Sequence, residues 1–343
     1  MTLKRAVVFV VLFAVLAVLA VWLVRKNRMG DTEPSPQLTY RLKWLANPGF
    51  IGDLYADTYG MFAHERLQVQ VLPGGPEHDA LRELQTGAAQ FGVASADQVI
   101  RAIDQGADVV VVAQIYQRNP VEWIYRSSLG SITRASALRG RRVGVTVGDN
   151  DETIMRAVLK ASALTEKDVK LIPVKYDFSP FTTGAVELFP VYRNTQGVEL
   201  QKQLSDNHEA AGFYDPEEAG VRFVANAIVT TSRTVTERPE VVRRFVRAAV
   251  RGWDEALRTE NEEQAIRAAE RFLPPGSVSD PASHHDILRD EIRSTRTFVV
   301  PPKGRIGVID VNGWVQTASI MKERHLINTD VLIKGHLRAD FLP

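Results

Sequence analysis

Residues 42–92 constrain the fold more than any other stretch. An apolar run around Leu42 and Trp44 stops at Asn47, Pro48 and Gly49, which are turn formers. Residues 51–66 then carry Leu54, Tyr55, Tyr59, Met61 and Phe62 at helical spacing. Residues 68–72 alternate as a strand does and end in Pro73, Gly74 and Gly75. A second helix over 78–86 is closed by Gly87, and residues 90–94 read as a third strand. Strand, helix, strand, helix, strand is the building block of an open α/β domain. Such domains hold ligands beyond the carboxyl ends of their strands. Trp44 and Asn47 stand at one of these ends.

The chain has 343 residues, too many for one ordinary domain and suited to two lobes. A hydrophobic content of 45% supplies a core of that size. The net charge of +1 hides an asymmetry. Residues 1–28 hold Lys4, Arg5, Arg25, Lys26 and Arg28 and no acid, so the remainder carries −4. A nucleic-acid binder needs a basic body, and that class is disfavoured. There is no cysteine, which excludes thiolate metal sites, disulfides and a cysteine-linked lipid.

Residues 6–24 run for 19 positions without a charge or a strongly polar group. At ~1.5 Å per residue they span about 28 Å, close to the hydrocarbon thickness of a bilayer. The expectation is an uncleaved transmembrane helix, with 1–28 as membrane anchor and 29–38 as a polar tether. The alternative is a cleaved signal peptide, but the apolar run continues past Ala20 and lacks a polar cleavage region. Bases flank both ends, so charge does not orient the segment.

Further along, residues 96–106 form a helix and 108–116 a continuous apolar strand, as a buried parallel strand requires. Gln114 and Tyr116 lie at its carboxyl end. Residues 122–126, 142–146, 169–174 and 186–192 read as strands, and 222–231 as a returning one. Gly148, Asp149 and Asn150 open a strand-to-helix turn of the kind that favours anions, but Asp149, Asp151 and Glu152 repel them. Acidic capping of the helix is the plainer reading. The tail is helical over 239–257, 261–272, 284–296, 312–325 and 329–337. Its return to the first lobe makes that lobe discontinuous.

Trp44-Leu45-Ala46-Asn47, then Gly52, then a helix ending in Gly60-Met61-Phe62, resembles the opening of the family of thiamine-pyrimidine binding proteins and pyrimidine synthases. The sulfonate, nitrate and riboflavin solute-binding proteins are its relatives. Pro73-Gly74-Gly75-Pro76, residues 87–92 and 138–145, and Gly307 to Asp310 before Trp314 extend the match. The resemblance covers about residues 39–343. It implies a two-lobed α/β fold of the periplasmic-binding-protein type (type II), with a cleft between the lobes. Lobe 1 would comprise 39–120 plus 227–343, and lobe 2 would comprise 121–226. It also implies a small ligand, an ABC importer's permease and ATPase as partners, and a soluble part on the periplasmic or extracellular side of the cell membrane. The ligand class it favours is a thiamine-precursor pyrimidine or a similar heterocycle. A sulfonate- or nitrate-type ligand stays open, because Arg118 and Arg126 lie near the lobe crossing. An enzyme and a tethered sensor without a transport role are the other readings. The synthases it resembles use a histidine six residues after the tryptophan and a cysteine-rich segment. Phe50 stands at the first of these positions, and cysteine is absent. Both departures argue against that chemistry.

The candidate ligand-binding residues are Trp44, Asn47, Phe50, Ser95, Tyr116, Asn150, Asp177, Glu187 and Tyr192. Trp44, Phe50, Tyr116 and Tyr192, together with Phe181, supply rings for stacking a flat heterocycle. Asn47, Asp177 and Glu187 offer groups for ring nitrogens or an amino substituent, since a carboxylate accepts two donors. Each has a plainer alternative: core filling for Trp44 and Tyr116, capping for the acids, turn formation for Asn47. No cofactor or metal is called for. His284 and His285 are adjacent and point apart on a helix, so they read as a solvated pair.

Overall fold

The computed structural model describes residues 36–75, 77–175, 177–273 and 281–343. The membrane segment expected over residues 6–24 lies outside them. Among the described residues no helix is long and apolar enough to cross a membrane.

Among the described residues, ten strands form two five-stranded sheets. They are β1 (Gln37–Arg41), β2 (Gln68–Leu72), β3 (Phe91–Ala94), β4 (Val110–Gln114), β5 (Val121–Arg126), β6 (Arg142–Val145), β7 (Lys170–Pro173), β8 (Leu188–Tyr192), β9 (Ala211–Tyr214) and β10 (Ala227–Thr230). One sheet has the order β2-β1-β3-β10-β4 and the other β7-β6-β8-β5-β9. The two share one plan. In each, the antiparallel strand is the one that arrives from the opposite lobe. β10 pairs antiparallel with β3 and β4, and β5 with β8 and β9. The chain therefore passes between lobes twice, at 115–120 and at 215–226.

The helices used below are α1 (Ile51–Thr58), α2 (Ala80–Thr86), α3 (Ala96–Asp104), α4 (Asn150–Ala161), α5 (Gln196–Asp206), α6 (Pro239–Ala256), α7 (Pro281–Val299) and α8 (Val311–Glu323). α1 starts on a Pro48–Phe50 turn whose amide at Gly49 is capped by Asn47. α6 opens with Pro239 at its first position, where the missing N–H costs nothing. α1 and α6 cross so closely that two glycines are required. A Cβ on Gly52 would sit 2.1 Å from the Trp253 ring, and one on Gly252 would sit 2.4 Å from the Gly52 carbonyl oxygen. This explains the interruption that Gly252 makes in an otherwise apolar helical pattern. Trp253 Nε1 and the Tyr40 hydroxyl both donate to Asp53 Oδ1, at 3.1 and 2.9 Å. Phe245 of α6 stacks on Phe91 of β3 with centroids 3.7 Å apart. α6 thus seals one face of the first sheet, as expected for the helical tail.

Several local expectations shift. The first strand lies at 37–41, so Leu42 and Trp44 follow it instead of forming it. The segment 132–138, whose sequence reads as a helix ended by Gly140, forms only a short 3-10 turn over Ala135–Leu138. A similar turn at Ile333–His336 replaces the expected last helix. α5 and β9 had no clear signal in the sequence. α5 begins without a capping side chain, and β9 contains Gly212, against which the Tyr125 ring packs.

Candidate functional site

Strand ends from both lobes meet at a chamber of about 90 Å³. Lobe 1 contributes Lys43, Trp44, Asn47 and Phe50, from the turn between β1 and α1. Lobe 2 contributes Asn150 at the start of α4, and Phe189 and Tyr192 from β8. Val121 at the start of β5 and Asn226 at the end of the second crossing also line the chamber.

Five of the nine residues singled out in the sequence come together here: Trp44, Asn47, Phe50, Asn150 and Tyr192. Phe50 is buried in the lobe 1 core and presents a face to the chamber. Asn47 does two jobs. Its Oδ1 accepts from the Gly49 amide at 2.8 Å and its Nδ2 donates to the Leu45 carbonyl at 3.1 Å, so it makes its own turn while lining the wall.

The other four stand elsewhere. Tyr116 is buried behind the chamber, where its hydroxyl donates to the Gly49 carbonyl at 2.9 Å and accepts from Asn194 Nδ2 at 3.0 Å. Asn194 Nδ2 also donates to Thr295 of α7 at 2.8 Å, so these side chains clasp lobe 2 to lobe 1. Ser95 is fully buried at the head of α3, and its hydroxyl donates to Asp97 at 2.7 Å. Asp177 is exposed and accepts from the amide and hydroxyl of Ser179. Those bonds hold its carboxyl below the ordinary range. Glu187 stands just before β8, two residues before Phe189 of the chamber wall. It accepts from Arg141 at 2.8 Å and from the Arg142 amide at 3.0 Å. Burial raises its pKa, but the hydrogen bonds from the Arg142 amide and Arg141 outweigh that and keep it ionised. Both acids cap and brace local structure, and neither reaches the chamber. Phe181 fills the lobe 2 core beneath the Arg126 guanidinium. Neither Arg118 nor Arg126 lines the chamber: Arg118 lies over the Phe298 ring, and Arg126 pairs with Glu209. His285 lies between Glu263 and Glu270, away from the cleft.

The sequence reading missed Phe189 and, above all, Lys43. It precedes Trp44, and its side chain is only 8% exposed. Its Nζ reaches across the cleft to the Tyr192 hydroxyl at 2.8 Å and lies 3.8 Å from Asp149. Burial pulls the ammonium toward neutrality. Tyr192, Asp149 and Asp97 more than offset this and hold it charged. Asn150 Nδ2 also donates to Tyr192, at 3.3 Å. A cation next to the aromatic at a strand end was the available signal. It was lost because lysine at a loop is ordinarily solvated.

The acidic turn explains itself in the structure. Asp149 accepts from the Asn150 amide at 2.7 Å, Asp151 from the amides of Thr146 and Glu152, both at 2.9 Å, and Glu152 from the Gly148 amide at 2.7 Å. The donors that would bind an anion are thus already used by the turn's own carboxylates. The Asp151 carboxyl is pushed up to about 7, first by burial and then by Asp149.

Among solved structures, the periplasmic aliphatic sulphonate binding protein SsuA from Escherichia coli matches with a TM-score of 0.66 at 16% identity, covering 88% of this chain and 92% of that one. The fold is therefore that of the periplasmic binding proteins. Among curated relatives, the riboflavin-binding protein RibY of Chloroflexus aurantiacus is 25% identical over 320 residues, 90% of this chain and 86% of the relative. The formylaminopyrimidine-binding protein of Halalkalibacterium halodurans is 23% identical over 315 residues, 91% of this chain and 92% of the relative. Residues 47–263, more than half of the chain, match the family described as NMT1/THI5 like, and the protein belongs to that family.

Proposed function

We propose that this protein is the membrane-tethered substrate-binding component of an ABC importer, and that it holds a flat nitrogen heterocycle in the cleft between its lobes. The observation that carries this reading is the chamber itself. Phe50, Phe189 and Tyr192 offer ring faces, and Asn47, Asn150 and Lys43 stand among them to fix orientation. The two relatives named for binding nitrogen heterocycles support the ligand class. The apolar segment at residues 6–24 would tether the body outside the cell membrane, in reach of a permease and its ATPase.

Binding without turnover fits the residues better than catalysis does. Lys43 is held protonated, which suits a hydrogen-bond donor and opposes its use as a nucleophile. Phe50 fills the place where the synthases resembled by this chain have a histidine. An aminopyrimidine held by Glu187 or Asp177 is not supported, since neither reaches the chamber; Asn47 and Asn150 take over that role here.

Thermal unfolding of the full chain in mild detergent tests the reading against aminopyrimidines, flavins and alkanesulfonates. A ligand at about 100 times its Kd should stabilise the protein by ~2.7 kcal/mol, a shift of several degrees. The shift is expected with a ring compound and should be lost in Tyr192→Ala. A shift with sulfonates alone would overturn the heterocycle reading.

A further inference from the structure

Lys43 has acidic neighbours on both lobes. Its Nζ donates to the Tyr192 hydroxyl at 2.8 Å and lies 3.8 Å from Asp149, and both partners belong to lobe 2. Proteins of this fold open and close about the segments that cross between their lobes. The bond to Tyr192 and the pairing with Asp149 therefore exist only while the lobes stand together. On its own lobe Lys43 feels the charge of Asp97, which also favours the ammonium. β1 and β3 are adjacent parallel strands, with Arg41 level with Gly92. Lys43 leaves the end of β1, and Ser95 to Asp97 leave the end of β3. The two stay neighbours whatever the lobes do.

Asp97 is 2% exposed. Its Oδ1 accepts from the Ser95 hydroxyl at 2.7 Å, and its Oδ2 is buried without a hydrogen-bond partner. An unpaired carboxylate oxygen in that setting is costly, because it has lost water and gained no donor. Burial raises the Asp97 carboxyl, and Lys43 and the Ser95 hydroxyl hold that rise in check. Among the described residues, Lys43 makes an ion pair with Asp149 and none with Asp97. With the lobes together, Lys43 is thus served by lobe 2 and Asp97 is left half satisfied. With the lobes apart, Lys43 loses Tyr192 and Asp149, and the unpaired oxygen of Asp97 is at hand on its own lobe.

We propose that Lys43 changes partner as the cleft works: Tyr192 and Asp149 hold it while the lobes are together, and Asp97 takes it when they part. Asp97 is then a positioning residue. It gives the parted form a contact that offsets the one lost, so the Lys43–Tyr192 bond does not lock an empty cleft shut. The exchange narrows the gap between the two forms, and the ligand's own binding energy then decides between them. The proposal concerns the lobes themselves and is independent of which ligand the chamber takes.

The test reads the distance between the lobes in the full chain, in mild detergent and with no ligand added. Gln70 on β2 and Lys170 on β7 are exposed, each at the edge of its sheet opposite the strands that enter the crossings. The chain has no cysteine, so Gln70→Cys and Lys170→Cys place one spin label on each lobe. Double electron–electron resonance then gives the populations of a short and a long distance. Asp97→Asn keeps the shape and removes the charge. It should raise the short-to-long ratio about tenfold, the weight of one hydrogen bond to a charged group. Ser95→Ala should act in the opposite direction, since it frees Asp97 Oδ1 as a second acceptor for Lys43. Because the two variants push opposite ways, a parent protein at either extreme still moves in one of them. Neither should move the ratio once Lys43→Met is present, which separates an effect carried through Lys43 from a merely structural one. Should Asp97→Asn not fold, Ser95→Ala with and without Lys43→Met decides alone. A shift toward the long distance in Asp97→Asn, a shift toward the short one in Ser95→Ala, no shift in either, or a shift that persists beside Lys43→Met would overturn the exchange.

Discussion

The two lobes share a sheet plan and use it differently. In lobe 1 the strand ends are braced by apolar packing. α1 and α6 meet through Gly52 and Gly252, and the Tyr40, Phe91 and Phe245 rings lock the sheet beneath them. In lobe 2 the equivalent ends are braced by polar bonds. Asp149, Asp151 and Glu152 tie up the turn before α4, and Glu187 ties β8 to the Arg141–Arg142 segment. The difference teaches how one topology can hold its strand ends by apolar packing in one lobe and by hydrogen bonds in the other. Lys43 is the exception that joins them, a lobe 1 cation whose partners are mostly in lobe 2.

The largest effect should come from breaking the apolar brace. Gly52→Ala drives a methyl group into Trp253, and the cost should reach or exceed ~3 kcal/mol, the upper part of the range for overpacked cores. Chemical denaturation would measure it. A loss below ~1 kcal/mol would mean that α1 and α6 can separate easily, and that the brace is softer than the contacts indicate.

Next comes the residue that joins the lobes. Lys43→Met removes a charged donor from Tyr192 and from the ligand. Affinity for a ring ligand should fall about tenfold or more, since hydrogen bonds to charged groups contribute ~1.5–3 kcal/mol. Glu187→Gln is the matching change in lobe 2's own bracing. It should lower the melting temperature and leave affinity unaltered, because Glu187 does not reach the chamber. Equal loss of affinity in both variants would erase the distinction between brace and site.

The clasp behind the chamber should have a smaller effect. Tyr116→Phe removes the hydroxyl that bridges Gly49 and Asn194, at a cost of about 1–2 kcal/mol. Because the bonds cross the lobes, small-angle scattering should also show a wider ligand-free form.

The smallest effect separates the lobes by pH. Burial raises the carboxyls of Asp53 in lobe 1 and Asp151 in lobe 2, each to about 7. Glu122 on β5 rises to about 7 and Glu291 on α7 to about 8, first through burial and then through Asp215 and Glu199 respectively. A raised acid keeps in the folded state a proton that the unfolded chain releases. Its stabilising contribution is complete below about pH 4 and is lost as pH rises through the folded value. Melting temperature should therefore fall between pH 5 and pH 8. Asp53→Asn should flatten the slope by lobe 1's share and Asp151→Asn by lobe 2's. A melting temperature that rises over this interval would show that these carboxyls are not held protonated.

The site was half legible in the sequence, for a physical reason that recurs. Trp44, Asn47, Phe50, Asn150 and Tyr192 lie at or just beyond strand ends, and in a parallel sheet strand ends converge whatever the side chains are. Asp177 and Glu187 also sit near strands. Whether a carboxylate faces a cleft or a neighbouring arginine depends on partners that are distant in sequence. Arg141 is 46 residues from Glu187. Lys43 was overlooked for the same cause, since its partners Asp149 and Tyr192 belong to the other lobe.

The sequence by itself determined the α/β alternation, the turn at Asn47-Pro48-Gly49 and the absence of thiolate chemistry. These follow from local periodicity, backbone geometry and composition, which act over a few residues. Only the tertiary structure decided which polar groups face the cleft and that Lys43 stays charged while buried. Those outcomes depend on the distances between charges and on their desolvation. Both are set when the chain's two crossings bring β1 and β8, remote in sequence, to opposite sides of one chamber.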